Sequence, residues 1–365
     1  MKISVLVSGL AAAFVLSSAV PAAANGGDGP VVRVVQRDGA LLHVKSPRKV
    51  RKAVEAYGKA LDASGQNVES VILVKKGRIV GELWRGEGRP DVPHVLHSVS
   101  KSFTSTAVGF AVAEGRLSLD DRVVTFFPDK LPAVVSDNLA KMTVRHLLTM
   151  TCGQAREIQS PWGDEADSHD WVADFLAAPV PYEPGTHFVY NSVGTYMLSA
   201  ILQKVTGQKV ADYLAPRLFA PLGIRDVKWE ESPQGINKGG WGLYLKTDDL
   251  AKMGQFLLQE GVWQGRQLLP KWWVRDAVSA HVLPGGSTPG PGQAAQRPAP
   301  NRPDWAQGYG YQFWRCRYGC YRADGSNGQY IIVCPSKEAV IAVTADLDDM
   351  QAELNLIWEH LLPAL

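Results

Sequence analysis

Strand-like patterns lie near both ends of the chain, and the middle is mostly helical in pattern. Residues Val68–Trp84 alternate in the manner of two strands around the turn Lys75-Lys76-Gly77. Strand patterns return at Gln329–Val333 and Ala339–Thr344, on either side of Pro335-Ser336-Lys337. This order predicts one sheet that is assembled from the two ends of the chain.

Apolar residues recur with helical spacing in seven further segments. These segments are Ser46–Ser64, Val99–Glu114, Arg145–Met150, Trp171–Leu176, Val193–Thr206, Thr247–Gly261 and Met350–Leu362. The patterns predict an α/β (α+β) domain over residues 25–365, with an antiparallel sheet flanked by helices. Its sheet parts are expected at about 30–115 and 306–365, and a mainly helical insertion at about 116–305. A chain of 365 residues, 45% of them hydrophobic, can bury a core of this size.

The first 24 residues differ in composition from the rest of the chain. Lys2 precedes the apolar run Ile3–Val20, and small residues follow in Pro21-Ala22-Ala23-Ala24. This order is typical of a cleavable export signal, with an uncleaved anchor helix as the alternative. We expect cleavage after Ala24 and a periplasmic or secreted protein with no stable membrane anchor.

The charge balance and the histidines exclude several classes of function. The chain has 38 Lys and Arg against 36 Asp and Glu, a formal net charge of +2 at pH 7. A balance so close to neutral gives no reason to expect nucleic acid or an anionic membrane as a partner. The eight histidines are scattered along the sequence, so no metal site is expected and a zinc enzyme is disfavoured.

The four cysteines are Cys152, Cys316, Cys320 and Cys334. An even number permits disulfides in an oxidising compartment, and four cysteines allow three pairings. Cys316 and Cys320 are close enough along the chain to pair with each other. The alternative is that both are buried thiols on two strands.

Ser98-Val99-Ser100-Lys101 stands at the start of the helical pattern that runs to Glu114. A spacing of three makes Ser98 and Lys101 neighbours on a helix surface, with Cβ atoms about 5–6 Å apart. A serine hydroxyl is a weak nucleophile that needs an adjacent base, and a buried lysine can lose its proton and serve as one. The N–H of Ser98 and the helix dipole would also favour an oxyanion. A plain helix cap is the alternative, because serine is a common N-cap.

A resemblance to a known family rests on five segments that occur in its order. They are His97–Phe103, Gly115–Asp121, Thr143–Thr151, Pro184–Ser192 and Gly325–Tyr330. Through them, over about residues 65–350, the chain resembles the serine β-lactamase-related family, on the side of class C β-lactamases, DD-peptidases and related esterases. Ser98 and Lys101 match the Ser-x-x-Lys arrangement of its penicillin-recognising members. The resemblance implies a β-lactamase/transpeptidase-like fold and serine hydrolase chemistry.

The family places a tyrosine, the first residue of a Tyr-x-Asn element, beside the Ser/Lys pair as a general base. Tyr190 takes this position, although a core aromatic before a helix is the alternative interpretation. Its phenol could be a phenolate beside the lysine ammonium or share a proton with Lys101, and the sequence leaves the two open. Ser192 stands where β-lactamases have asparagine, as in several esterases and the 6-aminohexanoate-dimer hydrolases. It is a candidate for the oxyanion or substrate-binding set.

A third family element, Lys-Thr-Gly or a His-x-Gly variant, usually lies on the strand that lines the site. Here the stretch reads Asp324-Gly325-Ser326-Asn327-Gly328-Gln329. Glycine lets a substrate backbone approach closely, so Gly325 and Asn327 are substrate-binding candidates and the Ser326 N–H is the candidate second oxyanion donor. No cation is present to bind a penicillin or peptide carboxylate, which favours ester or linear-amide hydrolysis. A strand turn that needs glycine for its geometry is the alternative.

Three other features have weaker signals. By position, Trp162, Trp241 and the Pro- and Gly-rich loop Leu283–Arg302 are candidates to line the acyl or leaving-group pocket, although aromatics at such places often serve packing alone. Ser136-Asp137-Asn138 spells a class A β-lactamase motif. It lies among turn-forming residues, so we expect a loop there.

These residues together predict hydrolysis of a small-molecule ester or amide through an acyl-enzyme on Ser98, with Lys101 and Tyr190 as the base. No metal or organic cofactor is expected. One alternative is a DD-peptidase or β-lactamase with a modified third element. Another is a non-catalytic penicillin-binding-type cell-wall sensor, although a pure binder has no need of all three groups.

Overall fold

The structure is a computed structural model that describes residues 40–158, 168–285 and 302–365. The predicted export signal, Trp162 and most of the Leu283–Arg302 loop lie outside the described residues. No helix in the described ranges is both long and apolar enough to cross a membrane. The same ranges hold no group of three or more His, Cys, Asp and Glu side chains that could bind a metal ion.

Strands from both ends of the chain meet in one sheet. The strands are β1 (Leu42–His43), β2 (Val68–Lys75), β3 (Arg78–Trp84), β4 (His94–Val95), β5 (Lys228–Trp229), β6 (Leu243–Leu245), β7 (Val262–Trp263), β8 (Arg266–Gln267), β9 (Trp314–Arg315), β10 (Tyr321–Gly325), β11 (Gln329–Cys334) and β12 (Ala339–Ala345). In the described part of the chain the main sheet has the order β1-β3-β2-β12-β11-β10-β9. The predicted sheet from both ends is therefore confirmed.

The expected antiparallel pairing needs one correction at the edge of the sheet. Strand β1 pairs with β3 in parallel, with Leu42 opposite Arg78. A helix lies between β1 and the β2–β3 hairpin in the chain, and such a connection allows parallel pairing. All other pairs of the main sheet are antiparallel, including β12 with β2 and β12 with β11.

Helices cover both faces of the main sheet. They are α1 (Arg48–Ser64), α2 (Ser100–Ala113), α3 (Asp137–Lys141), α4 (Val144–Leu148), α5 (Trp171–Ala177), α6 (Ser192–Thr206), α7 (Val210–Leu214), α8 (Ala220–Leu222), α9 (Thr247–Leu258), α10 (Lys271–Ala277) and α11 (Met350–Leu356). The predicted helical segments are confirmed, with ends that differ by a few residues. The last segment is α11 followed by a π-helical turn, Ile357–Leu361.

Alternate strand residues face two separate hydrophobic clusters, as the two-residue period of a strand requires. On one face, Val71 and Leu73 of β2 join Tyr57 of α1 in a cluster that includes the C-terminal helices. On the other face, Ile72 and Val74 join a larger cluster that includes α2, α6 and α9. Helix α2 is buried continuously from Ser100 to Ala111, so it forms the centre of this larger layer.

The cysteines differ from both sequence interpretations. Cys320 forms a disulfide with Cys334, with Cα atoms 4.3 Å apart, whereas Cys316 and Cys152 are free and buried. The pairing of β10 with β11 explains the choice, because Tyr321 lies opposite Val333 and Cys320 therefore meets Cys334 across the ladder. The proposed pairing of Cys316 with Cys320 is wrong.

The prediction of a loop at Ser136-Asp137-Asn138 is wrong, because a short helix begins within this segment. Asp137 begins the short helix α3, and Ser136 is its N-cap. The Leu139 N–H donates to the Ser136 hydroxyl at 3.2 Å. This local role is common for serine before a helix.

Candidate active site

Ser98 lies in a single 3₁₀ turn, His97–Val99, that leads directly into α2. His97 has a φ of 45°, in the left-handed region that few residues other than glycine adopt. The Ser100 hydroxyl donates to the His97 carbonyl at 2.6 Å, and the Leu243 N–H donates to the Ser100 hydroxyl at 3.2 Å. These bonds fix the turn against β6, so the partly exposed Ser98 has a defined position at the start of α2.

The Lys101 amine lies among three oxygen acceptors. Its Nζ donates to the Ser98 Oγ at 2.8 Å, the Ser192 Oγ at 3.2 Å and the Gly240 carbonyl at 2.8 Å. Three acceptors match the three N–H donors of a lysine ammonium group. A neutral amine can donate to two of them and accept the Ser98 hydroxyl proton with its lone pair. The arrangement therefore suits a group that exchanges a proton with Ser98.

Burial changes the acidity of Lys101. The residue is 1% exposed, and burial lowers the pKa of its amine to about 7. The negative charges of Glu157 and Asp324 partly oppose this fall in pKa. Near neutral pH a large fraction of Lys101 is therefore an uncharged amine, which is the form that can act as a base.

Tyr190 joins Ser98 and Lys101 in the same cleft. The Lys101 Nζ lies 4.8 Å from the centre of the Tyr190 ring, and a hydrogen bond links the Tyr190 side chain with Ser98. Burial raises the pKa of Tyr190 well above its ordinary value, and the Ser98 bond offsets only part of the rise. Burial thus lowers the pKa of the Lys101 amine and raises the pKa of the Tyr190 phenol, which favours the amine as the group that loses a proton.

An aromatic wall holds the Tyr190 ring. Trp314 stacks on it with ring centroids 5.8 Å apart, and Tyr309 meets it edge-on at 6.3 Å. Met150 and Val282 complete the hydrophobic cluster behind these rings. The phenol therefore reaches the cleft from a rigid apolar support, which also accounts for the burial that raises its pKa.

A buried ion pair stands on β10 where the family usually has a cation. The Arg322 Nε donates to the Asp324 Oδ2 at 2.7 Å, and both side chains are under 10% exposed. The Arg322 guanidinium also lies 4.7 Å from the centre of the Trp305 ring. Because Arg322 and Asp324 are paired with each other within the protein, neither gives support for a substrate carboxylate.

Gly325 makes a close backbone contact with the nucleophile turn. A Cβ at this position would lie 2.4 Å from the Leu96 carbonyl oxygen and 3.2 Å from the Val99 nitrogen. The sequence interpretation reserved this space for substrate, whereas the structure fills it with backbone. Only glycine lets the end of β10 approach the backbone of Leu96 and Val99 so closely.

The turn after β10 carries the remaining third-element candidates. Ser326 is exposed and begins a single turn, Ser326–Gly328. The Asn327 Nδ2 donates to the Asp346 Oδ1 at 2.8 Å, so its amide already has a protein partner. The Ser326 N–H as an oxyanion donor and Asn327 as a substrate contact stay predictions.

A backbone carbonyl and a side-chain carboxylate that the sequence interpretation missed also take part in the site. The Gly240 carbonyl accepts from Lys101, and Glu157 accepts the Ser192 N–H at 3.0 Å with its Oε1. The glycine-rich stretch around Gly239 and Gly240 was a signal for close packing, but no sequence pattern marks a backbone carbonyl as a lysine acceptor. Ser192 contacts Lys101 directly, so it lies in the proton-transfer group.

Trp241 follows Gly240 along the chain. Its ring stacks on Trp171, with centroids 5.9 Å apart, and its carbonyl accepts from the Trp229 Nε1 at 3.0 Å. These contacts describe packing, and its predicted role in substrate binding stays a prediction. Trp162 lies outside the described residues.

Comparison with known proteins gives a family match. The beta-lactamase family model matches residues 50–362. The 6-aminohexanoate-dimer hydrolase of Paenarthrobacter ureafaciens is 26% identical over 60% of this chain and 58% of that protein. Esterase EstB of Burkholderia gladioli is 31% identical over 39% of this chain and 40% of that protein. The matches thus span less than two thirds of the length of these two relatives.

Solved structures share the fold. EstCE1, described as a hydrolase with promiscuous acyltransferase activity, superposes with a TM-score of 0.68 over 86% of this chain and 98% of that chain. The two sequences are 16% identical, so the likeness concerns the fold alone. Together with the family match over residues 50–362, and with the penicillin-binding protein homologue of Pyrococcus abyssi at a TM-score of 0.65, it confirms the β-lactamase/transpeptidase-like fold that the sequence predicts.

Proposed function

The chain belongs to the beta-lactamase family, and we propose that it is an exported serine hydrolase that cleaves an ester or linear amide bond. The observation that carries the proposal is the contact of 2.8 Å between the Ser98 hydroxyl and the Lys101 amine, whose pKa burial lowers to about 7. A nucleophile paired with an uncharged base is what acyl transfer requires. The hydrolase and esterase names of the two relatives support the same class of reaction.

In the acylation step, the Ser98 Oγ attacks the carbonyl carbon while the uncharged Lys101 amine accepts the hydroxyl proton. The N–H groups of Ser98 and Ser326 hold the oxyanion of the tetrahedral intermediate. The intermediate collapses as the proton passes from Lys101, through the Tyr190 hydroxyl, to the leaving oxygen or nitrogen. An alcohol or amine departs and the acyl group remains on Ser98 as an ester.

In the deacylation step, water replaces the departed group. Lys101 accepts one water proton as the water oxygen attacks the acyl carbon, which gives a second oxyanion in the same position. When this intermediate collapses, the proton returns to the Ser98 Oγ and the carboxylic acid is released. Protein groups alone provide the proton transfers in both steps.

The charges around the site favour esters and linear amides over penicillins. A penicillin or a peptide C-terminus carries a carboxylate, which a cation usually binds. Here Asp324 stands in the third element, and Arg322 is engaged with it inside the protein. A substrate carboxylate placed there would meet an ion pair whose cation is already engaged.

Export is part of the proposal, with cleavage after about Ala24. The Cys320–Cys334 disulfide supports it, because disulfides form and persist outside the reducing cytosol. Mass spectrometry of the protein purified from a periplasmic or culture fraction tests the cleavage. A mature N-terminus near Asn25 is expected, and an intact Met1 in that fraction contradicts it.

Activity-based labelling tests the proposed function. A fluorophosphonate probe should modify the wild-type protein, and mass spectrometry should place the adduct on the peptide that contains Ser98. Ser98→Ala should lose both the adduct and the turnover of a short-chain p-nitrophenyl ester, whereas Ser136→Ala should keep both. Unchanged labelling in Ser98→Ala refutes the nucleophile. An adduct on Ser98 without turnover of any ester or amide supports a non-catalytic binder.

A further inference from the structure

The turn Ser326–Gly328 has little room to move. At its start, a Cβ on Gly325 would lie 2.4 Å from the Leu96 carbonyl oxygen, in the nucleophile layer. At its end, a Cβ on Gly328 would lie 2.8 Å from the Oε2 of Glu353, on helix α11. Leu96 and α11 belong to the hydrophobic clusters on opposite faces of the sheet. The turn is therefore bounded by the nucleophile layer on one face and by the Glu353 carboxyl on the other.

Glu353 is a fully buried carboxyl with one bonded oxygen. Its side chain is 0% exposed, and the Tyr57 hydroxyl donates to its Oε1 at 3.4 Å. Its Oε2, the oxygen close to Gly328, has no hydrogen-bond partner in the part of the chain that the structure describes. An ionised carboxylate with an unbonded buried oxygen costs much more free energy than an uncharged carboxyl in the same place.

The surrounding groups also favour the uncharged form of Glu353. The titratable and charged groups around it and its tyrosine neighbours are Tyr57, Tyr330, Asp324, Arg322 and Arg85. Both cations are paired elsewhere, Arg322 with Asp324 and Arg85 with Asp62. Burial raises the pKa of Glu353 well above its ordinary value, and the negative charge of Asp324 adds to the rise.

The position of the turn matters because it carries the Ser326 N–H, the candidate second oxyanion donor. Such a donor is effective only within about 2.7–3.1 Å of the oxyanion. Gly325 prevents the strand end from moving towards the nucleophile turn, so a displacement would have to go the other way. Glu353 occupies the space into which the end of the turn would move.

We infer that Glu353 is a positioning residue whose uncharged carboxyl supports the Ser326–Gly328 turn from the face of the sheet opposite the nucleophile. This inference rests on the proposed function, because the turn affects the rate only if the Ser326 N–H binds the oxyanion. The carboxyl acts through its size and its lack of charge. A smaller group would leave space behind Gly328, and a charged one would draw water into a hydrophobic cluster.

Three substitutions at Glu353 test the support with one p-nitrophenyl ester. Glu353→Gln keeps an uncharged group of the same size and should keep kcat within about twofold. Glu353→Asp and Glu353→Ala withdraw the group from Gly328 and should lower kcat about tenfold with little change in KM, because an interaction of the transition state is weakened. Ile357→Ala is the matched control. Ile357 is equally buried in the same cluster but is not among the three groups nearest to Gly328, so this variant should lose stability and keep kcat.

The pH dependence of unfolding tests the charge state of Glu353. A carboxyl whose pKa is raised in the folded protein holds its proton more tightly there than in the unfolded chain. Its contribution to stability is therefore full below the ordinary glutamate pKa and is lost as the pH rises towards the raised pKa. Over this range the unfolding equilibrium constant of the wild type should grow relative to that of Glu353→Gln by up to about tenfold per pH unit. Denaturant unfolding at a series of pH values measures both constants.

The outcomes separate the inference from its alternatives. Wild-type kcat in both Glu353→Asp and Glu353→Ala overturns it, as does a loss in Glu353→Gln as large as in Glu353→Asp. A ratio of unfolding constants that does not change with pH also overturns it. If Glu353→Ala does not fold, Glu353→Gln, Glu353→Asp and the unfolding series still decide. Failure of the proposed function is distinguishable, because Ser98→Ala would then keep the turnover of the wild type.

Discussion

The Trp314 indole stacks on the Tyr190 phenol, with ring centroids 5.8 Å apart and planes inclined by 24°. The ring therefore stays in place when its hydroxyl is removed. Tyr190→Phe should lower kcat about 100-fold or more, the size of effect typical for a lost acid–base group. Steady-state kinetics with a p-nitrophenyl ester measure it. Phe188→Leu, which changes a ring in the same wall without touching Ser98, is the control and should cause a much smaller loss. A nearly wild-type rate in Tyr190→Phe would assign the whole proton transfer to Lys101.

The lowered pKa of Lys101 predicts the pH dependence of activity. Burial holds this pKa at about 7, and the active form is the uncharged amine. Activity should therefore rise with pH up to about 7 and level off above it, falling about tenfold per pH unit on the acidic side. The kcat/KM profile of the free enzyme reports this limb.

Glu157 should shift the acidic limb in a defined direction. Its negative charge raises the pKa of Lys101, so Glu157→Gln should lower that pKa and move the limb to lower pH. Glu55→Gln, a change at an exposed position of α1, should leave the limb in place. A limb that stays fixed in Glu157→Gln, or moves to higher pH, contradicts the assignment of the titrating group to Lys101.

Gly325→Ala tests the close contact between β10 and the nucleophile turn. The new Cβ would lie 2.4 Å from the Leu96 carbonyl oxygen, so strand and turn must separate. A displacement of this size should lower kcat about 100-fold. Gly58→Ala is the control, because its Cβ would meet no atom closer than 3.9 Å, and in helix α1 it should stabilise the fold by about 0.5–1 kcal/mol. Wild-type kinetics in Gly325→Ala would show that the turn tolerates the shift.

The substrate class can be checked with a β-lactam. The third element has Asp324 in place of a cation that would bind the penicillin carboxylate. We therefore expect kcat/KM for ampicillin to be at least about 100-fold lower than kcat/KM for a short-chain p-nitrophenyl ester. Absorbance assays on one enzyme preparation give both values. A clear preference for ampicillin would contradict the proposed substrate class and favour a β-lactamase or DD-peptidase.

The disulfide should contribute to stability. Cys320 and Cys334 are 14 residues apart, and closing a loop of this length contributes about 2–4 kcal/mol. Denaturant unfolding should show this loss when the wild type is reduced. Cys334→Ala should start at the lower stability and be insensitive to reductant. Cys152→Ala, which removes a free thiol, should keep the sensitivity. A wild type that is indifferent to reductant argues against the bond.

The sequence predicts the long regular elements well, because their apolar periods are unambiguous. Val68–Trp84 alternates clearly, and both its strands are found within the predicted limits. Strand β10 was not predicted, because its Arg322 and Asp324 are charged residues that are usually exposed. In the structure they are buried as an ion pair with each other. The pairing of Cys320 with Cys334 depends on strand register, which spacing along the chain does not reveal.

The residues of the candidate site also fall into those that the sequence predicts and those that only the tertiary structure shows. The Ser98 and Lys101 pair is local, with a spacing of three on one helix, so the sequence brings the two together. The Gly240 carbonyl meets Lys101, and Glu157 meets Ser192, only through the tertiary fold, and a carbonyl has no side-chain signature. The proton balance between Lys101 and Tyr190 also follows from burial, which no motif encodes.

The central position of the last strand has a consequence for how the molecule is made. Strand β12, residues Ala339–Ala345, lies between β2 and β11. Until the chain has been synthesised as far as β12, the β2–β3 hairpin therefore keeps an open hydrogen-bonding edge that can recruit strands from other chains. Folding must wait for contacts between residues far apart in sequence, which makes it slow. A nascent chain of this kind is most exposed to pairing with its copies before β12 has emerged.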